Sequence, residues 1–204
     1  LSPELNYHLD SKMGCEYGDL ANLDPRGKCA IPVTGSHGYA VLIGDSHAGM
    51  LSEGFVTASH EIGLDAVIAV NGNHPFLFRP WDMGTTRNEY PYQAIESWAD
   101  SEVKPSVVVI AQSGYAMETS NGSAWSDQFI PILKLLDELA IPVVVTERSV
   151  VVDVEPRFCS KLQDFVGMCQ ADIEWATSDL DKDRYLRSVE EQISIDAVSN
   201  AVLM

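Results

Sequence analysis

The sequence has few basic residues and no long apolar run, and these two shortages exclude several classes of function. Its 204 residues include 13 Lys and Arg against 30 Asp and Glu, which gives a net charge of −17. A surface this acidic repels phosphate backbones, so we expect no nucleic-acid partner. The longest apolar runs, such as residues 107–111, are far shorter than the ~20 residues that span a bilayer. We therefore expect a soluble globular domain.

Cysteine is also scarce, and its spacing argues against a metal site. The four cysteines form no Cys-x-x-Cys motif, and the one histidine near any of them is His8, so we expect no metal and no cofactor. They fall into two pairs that are close in sequence. The simplest of the three possible connectivities joins Cys15 to Cys29 and Cys159 to Cys169. Such disulfides indicate an oxidising, extracytoplasmic compartment; the alternative is four buried thiols in a cytosolic protein.

The sequence divides into two predicted parts. Residues 1–37 are rich in Gly, Pro, Asp and Asn, and they predict an irregular lead-in that is stapled by the first cysteine pair. Residues 38–204 predict an α/β domain, because apolar runs alternate with helical patterns there. The predicted strands are about 39–43, 65–70, 106–111, 142–146 and the start of a fifth at 197–204. The predicted helices are about 48–62, 93–101, 124–139 and one that opens near 178.

The order of these elements predicts the fold class and the edge at which a site would lie. Strands separated by helices are typical of a three-layer α/β/α sandwich with a mainly parallel sheet. Ligands of such folds bind outside the carboxyl ends of the strands. Ser46, Gly72 and Gln112 each follow a predicted strand end. We therefore expect these three residues at one edge of the sheet.

The first predicted helix of the domain, residues 48–62, has an apolar pattern at helical spacing. Leu51, Phe55 and Ile62 are spaced to lie on one face, so we expect that face to pack against the sheet. His60 comes late in the same helix and is expected to be a solvated surface residue.

The stretch Gly44-Asp45-Ser46-His47 stands between the first strand of the domain and this helix. A strand that turns directly into a helix exposes the turn residue and points the helix amino terminus toward it. A serine at that position is a candidate nucleophile, because the N–H groups of the helix start can stabilise an oxyanion. The alternative is that Ser46 only caps the helix. His47 is expected to be structural.

A long loop, residues 71–92, is predicted after the second strand. A loop of ~20 residues inside a compact domain is uncommon and is often functional. This one is rich in aromatic residues and prolines, which favours either a platform for stacking sugar rings or packing of an irregular segment. His74, which precedes Pro75, would line the site if the loop is functional. Its aromatic residues are Phe76, Phe78, Trp81, Tyr90 and Tyr92.

With strand, Gly44-Asp45-Ser46-His47 turn and helix in place, the sequence resembles the SGNH (GDSL-like) hydrolase superfamily. Within it, the sequence is most similar to SGNH domains fused to integral-membrane acyltransferases that O-acetylate cell-surface sugars. The small Ala48 after the block, the two cysteine pairs and the alternating α/β order carry this resemblance. It covers about residues 35–204, and only the nucleophile block is sharply specific. It implies the flavodoxin-like SGNH hydrolase fold.

The resemblance implies roles for the residues of the first two sequence blocks. Ser46 would be the nucleophile that accepts the acyl group, and its backbone N–H would be one oxyanion donor. Asp45 would be a structural turn residue. Gly72, which follows the second strand, is the best match to the glycine of the second block.

The third block of the superfamily, Gly-x-Asn-Asp, is missing here. The corresponding segment is residues 111–115, which contains no asparagine. Gln112 would then supply the amide donor that the asparagine supplies elsewhere, or Asn71 or Asn73 would do so. The assignment of the oxyanion hole is therefore open between these residues.

The resemblance also implies a histidine base that this sequence lacks. Members of the superfamily take the base from an Asp-x-x-His motif after the fifth strand. This sequence has five histidines, none after residue 74, and no Asp-x-x-His. Because it also starts with Leu1 and shows no signal-peptide pattern, we interpret it as a truncated fragment. The alternatives are a domain that naturally has no base and an unusual base such as His74.

The function implied by the resemblance is that of the extracytoplasmic SGNH-like domain of a bacterial membrane acyltransferase. It would move an acyl group, in the first place acetyl, to or from a carbohydrate hydroxyl through an ester on Ser46. The implied partners are a cell-surface carbohydrate or glycolipid and the membrane acyltransferase domain of the same polypeptide. The 204 residues alone are expected to show little or no esterase turnover. The alternatives are a stand-alone carbohydrate esterase and a non-catalytic domain that binds glycan.

Overall fold

A single sheet organises the described part of the chain. The computed structural model describes residues 8–15, 19–71, 76–77, 86–112, 125–146, 196 and 198–203. Six strands occur in these ranges: β1 (Ala30–Ile31), β2 (Tyr39–Gly44), β3 (Asp65–Val70), β4 (Val107–Ala111), β5 (Val143–Val145) and β6 (Ala201–Leu203). The helices are α1 (Leu9–Met13), a short 3-10 helix (Leu20–Leu23), α2 (Ser46–Glu61), α3 (Thr86–Ala99) and α4 (Trp125–Glu138).

The sheet is mainly parallel, as predicted. Its strand order is β1-β3-β2-β4-β5-β6. The pairs from β3 to β6 are all parallel, and β1 alone is antiparallel to its neighbour β3. Counted in chain order, the five parallel strands lie as 2-1-3-4-5, which is the flavodoxin-like arrangement.

Helices cover both faces of the sheet, which confirms the predicted α/β/α sandwich. On one face, α3 and α4 bury Trp98, Phe129 and Leu136 together with side chains of β2, β4 and β5. On the other face, α1 and α2 pack on residues of β2 and β3 such as Leu42 and Ile68. In the described ranges no helix is both long enough and apolar enough to cross a membrane.

The buried face of α2 differs from the prediction. Leu51 and Ile62, expected in the core, are 44% and 61% exposed. The residues that α2 buries are small ones, Ala48, Gly49, Ser52 and Ser59, with Phe55 partly buried. These residues also recur every three or four positions, but they are not apolar enough to stand out by hydrophobicity. The helix lies against the sheet through its small side chains, so its larger apolar residues remain outside.

Helix α3 starts earlier than predicted, at Thr86 rather than near residue 93. Pro91, which was expected to belong to the preceding loop, lies inside the helix. A proline removes one backbone hydrogen bond from a helix and disfavours helical conformation in the residue before it, which is why the sequence predicted a helix that starts after Pro91. Tyr90 is 4% exposed, and its ring meets Phe76 edge-on at a centroid distance of 6.5 Å. These two aromatic residues of the predicted loop are therefore core residues.

The lead-in is attached to the outer edge of β3, away from β2. The predicted disulfide between Cys15 and Cys29 is present, and both cysteines are fully buried. The carbonyl of Cys29 accepts from the Ile68 N–H at 3.0 Å, and that of Cys15 accepts from the Val70 N–H at 3.1 Å. The disulfide therefore joins two points that are already bonded to β3. The second predicted pair, at 159 and 169, lies outside the described residues, and the domain boundary at residue 37 stays a prediction.

His60 is a second attachment of the lead-in and corrects an expectation. Its side chain was predicted to be solvated, but it is half-buried, and Nε2 lies 3.1 Å from the carbonyl oxygen of Ile31 in β1. The helix therefore holds the short edge strand with a side chain. Hydrophobic periodicity carried no information about this bond, because β1 itself was not predicted.

Removal of the Cys15–Cys29 disulfide is expected to lower the free energy of unfolding by about 3 kcal/mol, because the disulfide restricts the unfolded chain over a loop of about 15 residues. The double variant Cys15→Ala, Cys29→Ala tests this by urea unfolding, with alanine chosen because both positions are fully buried. The control is Lys12→Ala, Lys28→Ala, which changes exposed residues of the same segment. A loss below about 1 kcal/mol would contradict the expected contribution.

Candidate active site

The ends of three parallel strands meet at one edge of the sheet. Gly44, the last residue of β2, is the register partner of Val70 in β3 and of Ala111 in β4. The N–H of Asn71 donates to the Gly44 carbonyl at 2.8 Å. The residues that leave this edge are therefore Asp45 in the centre, with Asn71 on one side and Gln112, directly after β4, on the other.

This edge contains the switch point of the sheet. After β2 the chain goes to β3 on one side, and it later returns to β4 on the other side of β2. In open α/β sheets a crevice forms at such a reversal, outside the carboxyl ends of the two strands, and ligands bind there. Ser46 follows β2 and Gln112 follows β4, so these two residues flank the crevice.

Gly44 allows the close approach of β2 and β4 at this point. Its φ is 147°, and a Cβ built on it would lie 1.8 Å from the carbonyl oxygen of Ala111. No side chain fits in that space, and the backbone conformation is one that only glycine adopts readily. Glycine is therefore required at position 44 by the path of the chain from β2 into the turn.

Asp45 forms the turn that places Ser46 at the first position of α2. Its backbone is extended, with φ −93° and ψ −154°, and its carboxylate accepts from the His47 N–H at 2.9 Å. Its carbonyl accepts from the Ala48 N–H at 3.0 Å. Asp45 is 2% exposed and therefore caps the helix from a buried position. Ser46 itself is exposed, beside the positive end of the helix dipole.

His47 lies against Asp45. Its Nδ1 is 3.4 Å from the Asp45 carboxylate, and its side chain is 20% exposed. The same carboxylate oxygen already accepts from the backbone N–H of His47. His47 is therefore a neighbour of the turn carboxylate, and it contributes to the shape and the charge of the turn.

Gln112 is a buried amide beside the turn. It is 6% exposed, and among the residues that the structure describes neither its amide nitrogen nor its amide oxygen has a hydrogen-bond partner. A buried polar group without a partner costs about 1–3 kcal/mol and is rare in native proteins. A free N–H₂ group at this edge can donate to a negatively charged oxygen of a bound molecule.

The lead-in packs against the first turns of α2. Asp10 in α1 is 4% exposed, and its carboxylate lies against Gly49 in the first turns of α2. A Cβ on Gly49 would lie 3.1 Å from both carboxylate oxygens of Asp10. Asp10 was not identified from the sequence, because neither periodicity nor spacing connects it with residues near position 46.

The structure thus brings together four of the predicted site residues: Asp45, Ser46, His47 and Gln112. The other three, Gly72, Asn73 and His74, lie outside the described residues. Among the residues that are described, no group of three or more His, Cys, Asp or Glu side chains is arranged to hold a metal ion.

Comparisons with known proteins identify the family of this chain. The family described as "SGNH domain (fused to AT3 domains)" matches residues 14–139, which is more than half of the chain. None of the curated proteins compared with the chain matches it. One solved structure, the periplasmic domain of a lipopolysaccharide acetyltransferase from Salmonella ser. Paratyphi A, is 24% identical with a TM-score of 0.41. That alignment covers 55% of this chain and 44% of the Salmonella chain, so the two share less than half of the latter's length.

Proposed function

The chain belongs to the family of SGNH domains that are fused to AT3 domains, and on that premise we propose that it is the extracytoplasmic domain of a bacterial membrane acyltransferase. In this proposal the domain transfers an acyl group, in the simplest case acetyl, to or from a hydroxyl of a cell-surface carbohydrate or glycolipid. Ser46 carries the acyl group as an ester between the two half-reactions. The membrane acyltransferase domain of the same polypeptide is the source of the acyl group.

The observation that carries the proposal is the position of Ser46. It is exposed at the first residue of α2, while the residue before it is buried and fixes the turn. It stands at the switch point between β2 and β4, where ligands of this fold class bind. An exposed hydroxyl on a rigid turn at a helix amino terminus suits a nucleophile that has to reach a bulky acyl donor.

The same edge supplies donors for the oxyanion that forms when Ser46 attacks an acyl carbonyl. The Ser46 N–H is at the start of α2 and has no helical acceptor. The amide of Gln112 is buried and has no hydrogen-bond partner within the described part of the chain. We assign these two groups to the oxyanion hole, with Gly72 and Asn73 as further lining residues. Donors that are held in place before the reaction stabilise a developing negative charge at little reorganisation cost.

The proton of the Ser46 hydroxyl requires a base, and we do not assign that role to His47. Adjacent residues of a helix point about 100° apart, and Nδ1 of His47 faces the Asp45 carboxylate instead. We propose that His47 positions the turn, and that the proton acceptor comes from a part of the protein other than the described residues. The ester between Ser46 Oγ and the acyl carbon then forms while the bond between the acyl carbon and the leaving group of the donor breaks, and the proton passes from the acceptor to that leaving group.

The disulfide supports the proposed location outside the cytoplasm. Cys15 and Cys29 are bonded and fully buried, and disulfides of this kind persist in oxidising compartments. A net charge of −17 further disfavours attachment to an anionic membrane surface through the domain itself.

The decisive experiment is detection of the acyl ester. The longer protein with its fused AT3 domain, in membranes, is supplied with an isotopically labelled acetyl donor, quenched in acid and mapped by peptide mass spectrometry. We expect one acyl group on the peptide that contains Ser46, removable by hydroxylamine. Labelled carbohydrate without any label on this peptide would contradict the proposal. Thr57, an exposed hydroxyl on the same helix, should remain unlabelled and serves as an internal control.

Gln112→Leu is expected to separate stability from activity. Leucine keeps a side chain of similar size but removes an unpartnered buried amide, so the free energy of unfolding should stay equal or rise by about 1 kcal/mol. Loss of an oxyanion donor should lower kcat by about 10²–10³-fold. Urea unfolding and the rate of acyl transfer measure the two effects. Retained activity would show that Gln112 is not a donor. The matched control is Gln93→Leu, which changes a half-buried glutamine of α3.

A further inference from the structure

The carboxylate of Asp10 lies against the first turn of α2, the helix that starts at Ser46. Asp10 belongs to α1 and is 4% exposed, and a Cβ built on Gly49 would lie 3.1 Å from both of its carboxylate oxygens. Glycine at this position lets a buried carboxylate come close to the backbone of the helix. A negative charge is also favourable there, because the first turn is the positive end of the helix dipole.

Gly49 is connected with the turn that presents Ser46. Its N–H donates to the carbonyl of Asp45 at 3.4 Å, and the Ala48 N–H donates to the same carbonyl at 3.0 Å. Asp45 directly precedes Ser46, and its buried side chain caps the helix. A displacement of Gly49 is therefore expected to move the turn and, with it, the Ser46 hydroxyl.

Asp10 is itself held at the edge of the sheet that carries Ser46. Its carbonyl accepts from the Cys15 N–H at 2.7 Å, and the carbonyl of Cys15 accepts from the Val70 N–H at 3.1 Å. Val70 ends β3 and is the register partner of Gly44, the last residue before the turn. A continuous series of contacts thus runs from the end of β3 through Asp10 to the first turn of α2.

The disulfide keeps this series of contacts in place. Helix α1 has five residues, far fewer than the ~12–15 that an isolated helix needs in water. Its conformation therefore depends on its attachments. Cys15 is bonded to Cys29, the Lys28 ammonium donates to the Gly14 carbonyl at 3.0 Å, and Leu9 packs against the apolar cluster between α2 and the sheet. The bonds that hold the lead-in thus also hold Asp10.

We propose that Asp10 is a positioning residue for acyl transfer and that its contact with Gly49 fixes the place of the Ser46 hydroxyl. The inference rests on the proposed function, because it takes Ser46 as the nucleophile. Asp10 acts through the helix and takes no part in bond formation or proton transfer. A nucleophile that is misplaced by about 1 Å loses about 10²-fold in rate, so shifts of a few tenths of an ångström should cost about tenfold.

The test combines two single variants with their double variant. In Gly49→Ala the new Cβ is closer to the carboxylate than an ordinary van der Waals contact, so α1 and α2 have to separate. In Asp10→Ala the contact is lost. We expect each single variant to lower kcat about tenfold and to leave KM for the carbohydrate unchanged. In the double variant the methyl group at position 49 fills space that the carboxylate leaves, so kcat should return to within about threefold of the wild-type value.

Two measurements follow the position of the nucleophile. Transfer rates are measured with the longer protein and its fused AT3 domain, and the amide signals of Ser46 and His47 are recorded in the ¹⁵N-labelled 204-residue chain. Both signals should shift in the single variants and return in the double variant. Ile132→Val, which removes a methyl group from a fully buried residue of α4, is the control for lost stability. It should lower the urea midpoint and leave kcat unchanged.

The outcomes separate this inference from the proposed function. If both single variants keep the wild-type kcat while the acyl ester forms on Ser46, the positioning role is wrong and the proposed function stands. If the losses of the single variants add in the double variant, Asp10 and Gly49 act independently, and the positioning role is again wrong. If the unchanged protein forms no ester on Ser46, the proposed function is wrong and the inference falls with it.

Discussion

Replacing Ser46 by alanine is expected to lower the rate of acyl transfer to carbohydrate by at least about 10³-fold. Without the hydroxyl no ester forms at the turn, while the helix N–H groups and the rest of the edge remain. Ser46 is exposed, and none of the described residues forms a hydrogen bond with its hydroxyl. The free energy of unfolding should therefore change by less than about 0.5 kcal/mol.

The measurement uses the longer protein with its fused AT3 domain, and it compares the acyl content of the surface carbohydrate with the urea unfolding of the domain. Thr57→Ala removes another exposed hydroxyl from the same helix, one that donates to the carbonyl of Glu53, and should leave transfer unchanged. Retained transfer in the Ser46 variant would instead favour a non-catalytic domain that only positions the glycan. If the Ser46 variant kept both its rate of acyl transfer and its free energy of unfolding, the role of Ser46 as nucleophile would be wrong, while the fold would be unaffected.

Gly44→Ala is expected to destabilise the domain by on the order of 4 kcal/mol or more. The new Cβ would lie 1.8 Å from the carbonyl oxygen of Ala111 and 2.8 Å from its carbonyl carbon. Those atoms belong to β4, the central neighbour of β2, so they cannot move without breaking the strand pair. The φ of 147° adds a conformational cost for any residue with a side chain.

Gly54→Ala is the matched control for this variant. Gly54 is exposed inside α2, and a Cβ there would meet no atom within 4 Å. Alanine in a helix interior is better than glycine by about 0.5–1 kcal/mol, so this variant should be more stable. In urea unfolding, we therefore expect the free energies of unfolding of the two variants to shift in opposite directions. A loss below about 1 kcal/mol for the Gly44 variant would show that β2 and β4 can separate at this point.

The central strands could be predicted because they are buried on both faces. The range 65–70 was predicted and is observed as β3, and β2 differs from its prediction by one residue. Such strands are continuous apolar runs that need no context. The edge strand β1 has two residues and half-buried side chains, so it leaves no periodic signal. The buried face of α2 was predicted wrongly, because Ala48 and Gly49 are buried owing to their small size and not to their hydrophobicity.

The positions of candidate site residues could be predicted only where they follow strand ends. Ser46 and Gln112 were placed at one edge in this way, because parallel strands place their carboxyl ends at one edge, and their roles stay predictions. Asp10 supports α2 from 36 positions before Ser46, and the contact depends on how α1 folds back over the helix. This contact has no local sequence pattern and follows from the tertiary arrangement.

The short strand β1 also affects how the protein behaves at high concentration. β3, which it covers, reads Asp-Ala-Val-Ile-Ala-Val and has five buried residues in succession. An uncovered strand of this kind would pair with the same strand of another molecule and begin aggregation. β1 is followed directly by Pro32, which has no N–H and so ends the pairing at this edge. Cys29 of the Cys15–Cys29 disulfide directly precedes β1, so reduction of this disulfide should loosen the cover of β3. Reduced protein should therefore precipitate as well as unfold more easily.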